Sequence, residues 1–298
     1  MDDNGADPTI SNPAEAIADI HAILRLDESC VGRGFLQQGT CGGYGDPCTS
    51  CTGVRDLDWA NHQSGLPHDI AWAQSRCPSG TGPCGRQVHC SSVVVSEAVW
   101  DLHTRDLPTL FGLDVNTALE LTTRLVYLGG GMVGTWYQCT PPNAGCSATG
   151  GYLNLLAADD DNGNVADGTP HMTAIHSAFN RHQIACNVPA VLNSGCAGGP
   201  AAAPTLTATP QDQRVALSWT PVPGAMRYAV YRADGVRGCE VGKVKVGETT
   251  GTSLTDMDLL NGFNYYYTVL PMPANSACSG PMSPCQAATP TGAGTCTP

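Results

Sequence analysis

Apolar residues recur three and four positions apart in four stretches of the first two hundred residues, a spacing typical of amphipathic helices. The first stretch follows Asn12, a favourable N-cap, and places Ile17, Ile20 and Leu24 on one face. It predicts a helix that begins at the next residue, a proline, and ends near residue 26. The other predicted helices lie at about 92–107, after the Asp114 cap as far as Gly129, and from Thr169 onwards.

The last hundred residues show a different pattern, in which apolar and polar positions alternate as in strands with one buried face. Val215, Leu217 and Trp219 alternate in one segment, and Tyr265 and Tyr267 alternate in another. A run of small residues and proline separates the two patterns and is typical of a linker. We therefore predict a multi-domain chain, with a mainly α-helical, disulfide-rich domain over residues 1–199 and an all-β sandwich over 204–290.

Composition and charge limit the compartments and the partners that are expected for the protein. The 298 residues include 15 cysteines and carry a formal net charge of −12. So many cysteines indicate a secreted or extracytoplasmic protein, and the negative charge argues against nucleic acid and anionic membrane surfaces as partners. No apolar run is long enough to insert into a membrane. The acidic first residues and the odd cysteine count favour a natural start upstream of Met1.

Seven cysteines lie between the first two predicted helices, among many Gly and Pro residues, and predict an excursion held by disulfides. The pair Cys48-x-x-Cys51 could instead be half of a zinc ribbon, but the spacing of the following cysteines does not fit one. On the second predicted helix, Glu97, Asp101 and Arg105 follow one another at intervals of four residues. We interpret them as a structural ladder in which Asp101 and Arg105 pair.

The alternating segment resembles a fibronectin type III domain. The residues that carry the resemblance are Leu217-Ser218-Trp219, Tyr228-Ala229-Val230-Tyr231, and Leu259 six positions before Tyr265. The resemblance implies that Trp219 is a core residue and that the Tyr265 hydroxyl bonds to nearby backbone. Cys239, Cys278 and Cys285 allow at least one bridge there, with the pairing left open. A fibronectin type III domain usually binds a ligand or acts as a spacer between other domains. The sequence contains no Arg-Gly-Asp triplet, so it carries no adhesive motif of that kind.

Glu15 and Asp19 are four residues apart on the first helix and therefore share a face. Glu15 could simply cap the helix, and Asp19 could simply be solvated. The segment Pro13-Ala14-Glu15-Ala16-Ile17-Ala18-Asp19 nevertheless resembles the Glu-x-x-x-Asp helix of gluzincin zinc metallopeptidases, the thermolysin and fungalysin group, although alanines replace the residues that commonly flank the glutamate. The resemblance implies that Glu15 is a zinc ligand and that Asp19 orients a histidine ligand.

The sequence departs from that family in one decisive respect. A gluzincin needs His-Glu-x-x-His, and no His-Glu dipeptide occurs in the chain. The family places this motif before the Glu-x-x-x-Asp helix, so we expect it upstream of Met1 and expect the 298 residues alone to be inactive.

A second group of oxygen-bearing side chains precedes the last helix and suits a hard cation such as calcium. Its candidate calcium ligands are Asp159, Asp161, Asn162, Asn164 and Asp167. The spacing does not match an EF-hand, and an acidic turn with Thr169 as N-cap explains the group as well. His171, on the first turn of that helix, is a candidate to polarise a substrate carbonyl, as a histidine does in thermolysin-like enzymes.

These observations together predict a portion of a secreted zinc metalloendopeptidase that acts on protein or peptide substrates, followed by a fibronectin type III module. The alternative is a secreted, non-catalytic binding or adhesion protein with an extracellular protein or polysaccharide ligand. Neither a Gly-x-Ser-x-Gly elbow nor a phosphate-binding glycine loop is present, which argues against serine hydrolases and nucleotide enzymes.

Overall fold

The computed structural model describes residues 13–235, 238–239 and 242–292. It divides into two compact units, Met1–Gly195 and Cys196–Pro298. The first unit combines helices with long irregular loops, and the second consists of antiparallel sheets.

The first unit contains seven α-helices and three very short strands among the described residues. The helices are α1 (Pro13–Leu26), α2 (Ile70–Arg76), α3 (Val88–Asp101), α4 (Leu107–Phe111), α5 (Val115–Gly130), α6 (Gly151–Asp159) and α7 (Met172–Arg181). The strands are β1 (Cys30–Val31), which pairs antiparallel with β2 (Arg55–Asp56), and β3 (Ser79–Gly82). Helix α1 packs along α3 and also touches α5, and α5 packs on α6.

Helix α3 is the centre of this unit because almost its whole surface is covered. Val95, Val99 and Leu102, which recur at helical spacing, are fully buried. The helix begins four residues earlier than predicted, with the Gln87 side chain as its cap, and runs through a π-helical turn at 102–106 directly into α4. A helix buried on all sides lacks a polar face, so periodicity marks its ends poorly.

The other helical predictions are mostly confirmed. Helix α1 covers the predicted residues, whereas Asn12, its predicted cap, lies outside the described residues. Asp114 caps α5 as expected, but Leu128 on that helix is half exposed. Helix α7 begins at Met172 and not at Thr169, so Thr169 is not its cap. Helices α2 and α6 were not predicted, since seven and nine residues are too short for a clear period.

Disulfides hold the irregular part of the first unit, as predicted. Fourteen of the 15 cysteines form seven bridges, and Cys296 lies outside the described residues. The bridges are Cys30–Cys51, Cys41–Cys48, Cys77–Cys90, Cys84–Cys139, Cys146–Cys186, Cys196–Cys278 and Cys239–Cys285. Cys48 and Cys51 are therefore bridge partners of Cys41 and Cys30, which agrees with disulfides and not with a zinc ribbon.

The second unit has two antiparallel sheets. Its strands are β4 (Leu206–Gln211), β5 (Arg214–Trp219), β6 (Arg227–Asp234), β7 (Val244–Thr249), β8 (Ser253–Met257), β9 (Tyr265–Met272) and β10 (Gln286–Ala288). One sheet has the order β4-β5-β8 and the other β10-β9-β6-β7. In the register, Leu217 lies opposite Leu254, and Val230 lies opposite Val269.

The core of the second unit is built from the alternating positions of the sequence. Val215, Leu217 and Trp219 are buried, as are Tyr265 and Tyr267. The Tyr265 hydroxyl accepts a hydrogen bond from a backbone N–H five residues upstream, at 3.0 Å. The Tyr265 hydroxyl therefore bonds to nearby backbone, as the resemblance implies.

Candidate functional site

Glu15, on the first turn of α1, meets His89, on the first turn of α3. Glu15 Oε2 lies 2.7 Å from His89 Nδ1, and both side chains remain about 40% exposed. The contact is close but is not aligned as a hydrogen bond, and His89 Nδ1 itself is shielded from solvent without a hydrogen-bond partner among the described residues. The packing of α1 on α3 therefore brings a carboxylate and an imidazole together at a solvent-accessible position.

Asp19 lies one turn further along α1 and is almost fully buried. Burial raises the pKa of Asp19 from 3.8 to about 6, although Arg55 opposes this shift and Glu15 adds to it. Asp19 Oδ2 is 3.3 Å from Arg55 Nε and 3.4 Å from the Ser92 hydroxyl, which donates to it. Arg55 also donates to the backbone carbonyl of His89 at 2.9 Å, so β2 is tied to the start of α3.

These residues fit a bound zinc ion in part. Zinc is bound by imidazole nitrogen and carboxylate oxygen, and His89 Nδ1 is a shielded nitrogen whose hydrogen-bonding capacity is unused beside the Glu15 carboxylate. Asp19 is placed behind Glu15 and not in contact with solvent, which suits an orienting carboxylate better than a ligand. Two protein ligands do not complete a catalytic zinc site, which usually has three.

The predicted site residue His171 is held by Asp159, a carboxylate that is fully buried at the end of α6. Asp159 Oδ1 lies 2.8 Å from His171 Nδ1, while Asp159 Oδ2 accepts from the His171 backbone N–H at 2.6 Å and from the Thr169 hydroxyl at 2.7 Å. The ring nitrogen Nε2 has no hydrogen-bond partner among the described residues. His171 is therefore an imidazole in a defined orientation, with Phe111 5.0 Å away between ring centroids.

The remaining residues of the candidate calcium group form a loop that is bonded to itself. The amide of Asn162 donates to Asp167 at 3.2 Å, and the amide of Asn164 donates to the same oxygen at 3.0 Å. Asp161 lies on the same loop, and its carboxylate approaches the backbone at Gly195. Asp159 points away from this group, towards Thr169 and His171. The structure thus separates Asp159 from the other four, and calcium stays a prediction.

The predicted ladder on α3 is part of a buried polar network. Asp101 pairs with Arg105 at 2.8 Å, as predicted, but Asp101 and Glu97 are both fully buried. Arg181 also pairs with Asp101, and His182 Nε2 lies 3.3 Å from Asp101 Oδ2. Burial favours the protonated form of Asp101, yet His182 and the two arginines lower its pKa below the usual range. The network ties the end of α7 to the C-terminal end of α3.

Sequence reasoning did not find His89 or the histidine partners of the α3 network. His89 is 74 positions from Glu15, and it lies on the first turn of a helix that starts earlier than predicted. His68 contacts Glu97 at 2.6 Å across 29 positions, from an irregular loop with no periodic signal. Such contacts depend on tertiary packing and leave no mark in local spacing.

Comparisons with known proteins do not show a family for the chain. No family model matches it, and no curated protein matches it. Among solved structures it is similar to a structure of titin kinase and its flanking domains, with 18% identity, a TM-score of 0.26, and 32% of this chain and 18% of that chain covered. The chain thus spans less than a fifth of the length of that structure.

Two smaller structures are similar in the same way. An Fn3-like protein from Clostridium thermocellum shares 24% identity at a TM-score of 0.26, covering 33% of this chain and 97% of that one. A fibronectin type III domain from the human KIAA0970 protein shares 19% identity at a TM-score of 0.26, covering 32% and 77%. Scores this low carry no argument about function. Among the described residues, no helix is long and apolar enough to cross a membrane.

Proposed function

We propose that the first unit is part of a secreted zinc metalloendopeptidase, with its metal centre at the start of α1 and α3. The observation that carries the proposal is the approach of Glu15 Oε2 to within 2.7 Å of His89 Nδ1. Both side chains are partly exposed, and carboxylate and imidazole groups are common ligands of zinc. The seven disulfides support an oxidising compartment outside the cytoplasm.

Each residue has a distinct role in this proposal. Glu15 is a metal ligand, and His89 contacts the metal or the substrate beside it. Asp19 accepts a hydrogen bond from a ligand histidine and holds its ring orientation. The two further histidines and the catalytic glutamate belong to a His-Glu-x-x-His motif that the 298 residues do not contain. A bound zinc ion supplies Lewis-acid activation of water and of the peptide carbonyl.

His171 is the proposed electrophilic helper. Asp159 accepts from Nδ1–H, and Nε2 of the imidazolium form of the ring would donate to a carbonyl oxygen as negative charge develops there. The buried Asp159 would then act as the positioning residue for this imidazole. Calcium at Asp161, Asn162, Asn164 and Asp167 remains part of the proposal as a stabiliser of the adjoining loop.

We also propose that the second unit is a fibronectin type III module, on the basis of its three-stranded and four-stranded sheets, the buried Trp219 and the bonded Tyr265 hydroxyl. In a secreted peptidase such a module would bind an extracellular protein or polysaccharide or act as a spacer. If the first unit proves inactive in every form, this module supports a binding or adhesion role for the chain.

The first test is genetic and then biochemical. The in-frame coding sequence before Met1 should encode His-Glu-x-x-His, and protein extended to include it should hydrolyse casein in a chelator-sensitive way. The 298-residue chain should not. In the extended protein, Glu15→Gln should remove the zinc ion bound at the α1–α3 site, because an amide is a neutral and poor ligand, and Asp19→Asn should lower metal affinity at that site by about 10–100-fold.

Glu248→Gln is the matched control, since Glu248 is exposed on β7 of the second unit and should leave zinc and activity unchanged. An extended protein without the motif, or one in which Glu15→Gln retains full zinc and activity, would contradict the peptidase assignment. Retention would leave Glu15 as a residue that only stabilises the start of α1.

A further inference from the structure

A second group of metal-binding side chains lies in the disulfide-stapled loop before α2, outside the site proposed for catalysis. It consists of Asp46, His62 and His68, all three buried. One ligand atom from each, a carboxylate oxygen and two imidazole nitrogens, lies within 4.8 Å of the other two. We propose that these three residues bind a divalent transition metal, zinc by preference, that stabilises the loop.

The size of the cluster suits such an ion. Each of the three atoms would have to move towards a common centre by less than about 1 Å to reach the zinc–nitrogen and zinc–oxygen distances of about 2.0–2.2 Å. The two histidine rings are perpendicular, with centroids 4.7 Å apart, so their nitrogens can approach one point without stacking. Asp46 is held in place by the Ser64 backbone N–H, which donates to its Oδ1 at 2.9 Å.

Each histidine is anchored through the ring nitrogen that faces away from the cluster. His68 Nδ1 lies 2.6 Å from Glu97 Oε1, and His62 Nε2 lies 3.0 Å from the backbone carbonyl of Asp56. Metal-binding histidines almost always donate their second N–H to a carboxylate or a carbonyl in this way. Glu97 is fully buried, and this role explains why α3 carries a charged residue in its covered face.

The inward nitrogens face only acceptors. His68 Nε2 lies 3.1 Å from Asp46 Oδ2, and His62 Nδ1 lies 2.7 Å from the backbone carbonyl of Asp46. With the outward nitrogens donating, a neutral ring would place a lone pair against each of these oxygens. A divalent cation among these atoms would bind the two nitrogen lone pairs and the Asp46 carboxylate oxygen together.

The location favours the cation. Residues 27–69 contain only two-residue strands and short 3-10 turns, and this segment holds no long helix that could organise it. The nearby cysteines Cys41, Cys48 and Cys51 are bridged and are therefore not available as ligands. A metal held by Asp46, His62 and His68 would link the loop to α3 through Glu97, in addition to the disulfides.

The experiment uses the 298-residue chain without an affinity tag, folded with its disulfides intact and supplied with Zn²⁺ alone. We expect about one tightly held zinc ion per chain by elemental analysis after gel filtration. Zinc K-edge X-ray absorption should show two imidazoles and oxygen ligands and no sulfur. Sulfur ligands would overturn the proposal. A folded chain that takes up no zinc at about tenfold excess, a ratio that fills a tight site, would also overturn it.

Variants locate the metal. His62→Gln and Asp46→Asn should each lower bound zinc at least about tenfold, and Glu97→Gln should weaken affinity by about 10–100-fold because it loosens the His68 ring. His176→Gln is the matched control, since the hydrogen bond that the structure shows for its ring is to Asn187 and not to the cluster. A folded His62→Gln chain that retains its zinc would refute the assignment.

A spectroscopic measurement on the wild-type protein tests the proposal even if the ligand variants do not fold. The Trp72 indole lies against His68, with ring centroids 4.1 Å apart. Cobalt in place of zinc should therefore quench the fluorescence of wild-type protein, and Trp72→Phe should remove most of that quenching. Glu15→Gln should leave it unchanged, which separates this metal from one at the α1–α3 site. Quenching that persists in Trp72→Phe and disappears in Glu15→Gln would place the metal at Glu15 and overturn the proposal.

Discussion

Asp19 gives the sharpest prediction about stability, because burial disfavours the ionised form of its carboxyl group. Its pKa is raised from 3.8 to about 6, chiefly by burial, and only one fully charged partner, Arg55, lies close enough to compensate. A difference of about two in pKa corresponds to about 3 kcal/mol between the protonated and ionised forms. At neutral pH the folded first unit carries a cost of that order.

The sign follows from proton binding. Between pH 3.8 and about 6 the folded chain holds a proton on Asp19 that the unfolded chain has released, so the free energy of unfolding falls as pH rises. The stabilisation is complete below the unfolded pKa of 3.8 and is lost as the pH rises through 6. Asp19→Asn has no such proton, and its stability should lack this slope.

Urea unfolding with disulfides intact, followed by tryptophan fluorescence at several pH values, measures this directly, since four of the five tryptophans are in the first unit. Relative to wild type, the Asp19→Asn chain should gain about 2–2.5 kcal/mol between pH 4 and pH 7.5. Glu28→Gln is the control, because its ion pair with Arg33 is largely exposed and contributes at most about 1 kcal/mol. Parallel pH curves for Asp19→Asn and wild type would show that burial does not perturb Asp19.

Three further predictions concern the disulfides and the second unit. Peptide mapping without reductant should recover the seven bridges, and protein with mostly free thiols from its native compartment would contradict the oxidising location. Residues 196–298 should fold alone with a cooperative melt, whereas a fragment that begins at 200 loses the Cys196–Cys278 bridge and should be about 2–4 kcal/mol less stable. Tyr265→Phe should cost the second unit about 1–2 kcal/mol in urea unfolding, and Tyr266→Phe, which is less buried, should cost less.

The local patterns in the sequence were sufficient for the main architecture. Amphipathic spacing predicted α1 to its last residue, because Ile20 and Leu24 face a covered side while the other face stays polar. Alternation predicted the buried positions Leu217 and Trp219 of the second unit, because successive strand residues point to opposite faces. The short helices α2 and α6 were not predicted, because so few residues do not define a period.

The polar chemistry depends on the tertiary structure. Spacing placed Glu15 beside Asp19 on one helix, but only the packing of α1 on α3 brings His89 to Glu15 and buries Asp19. The cluster of His62 and His68 likewise requires an irregular loop to close on itself. Helix and strand periods reflect the local backbone geometry, which sets the face to which each side chain points, so the local sequence is enough to show them. Burial, pKa and ligand geometry depend on side chains that are tens of positions apart, and only the folded chain brings those together.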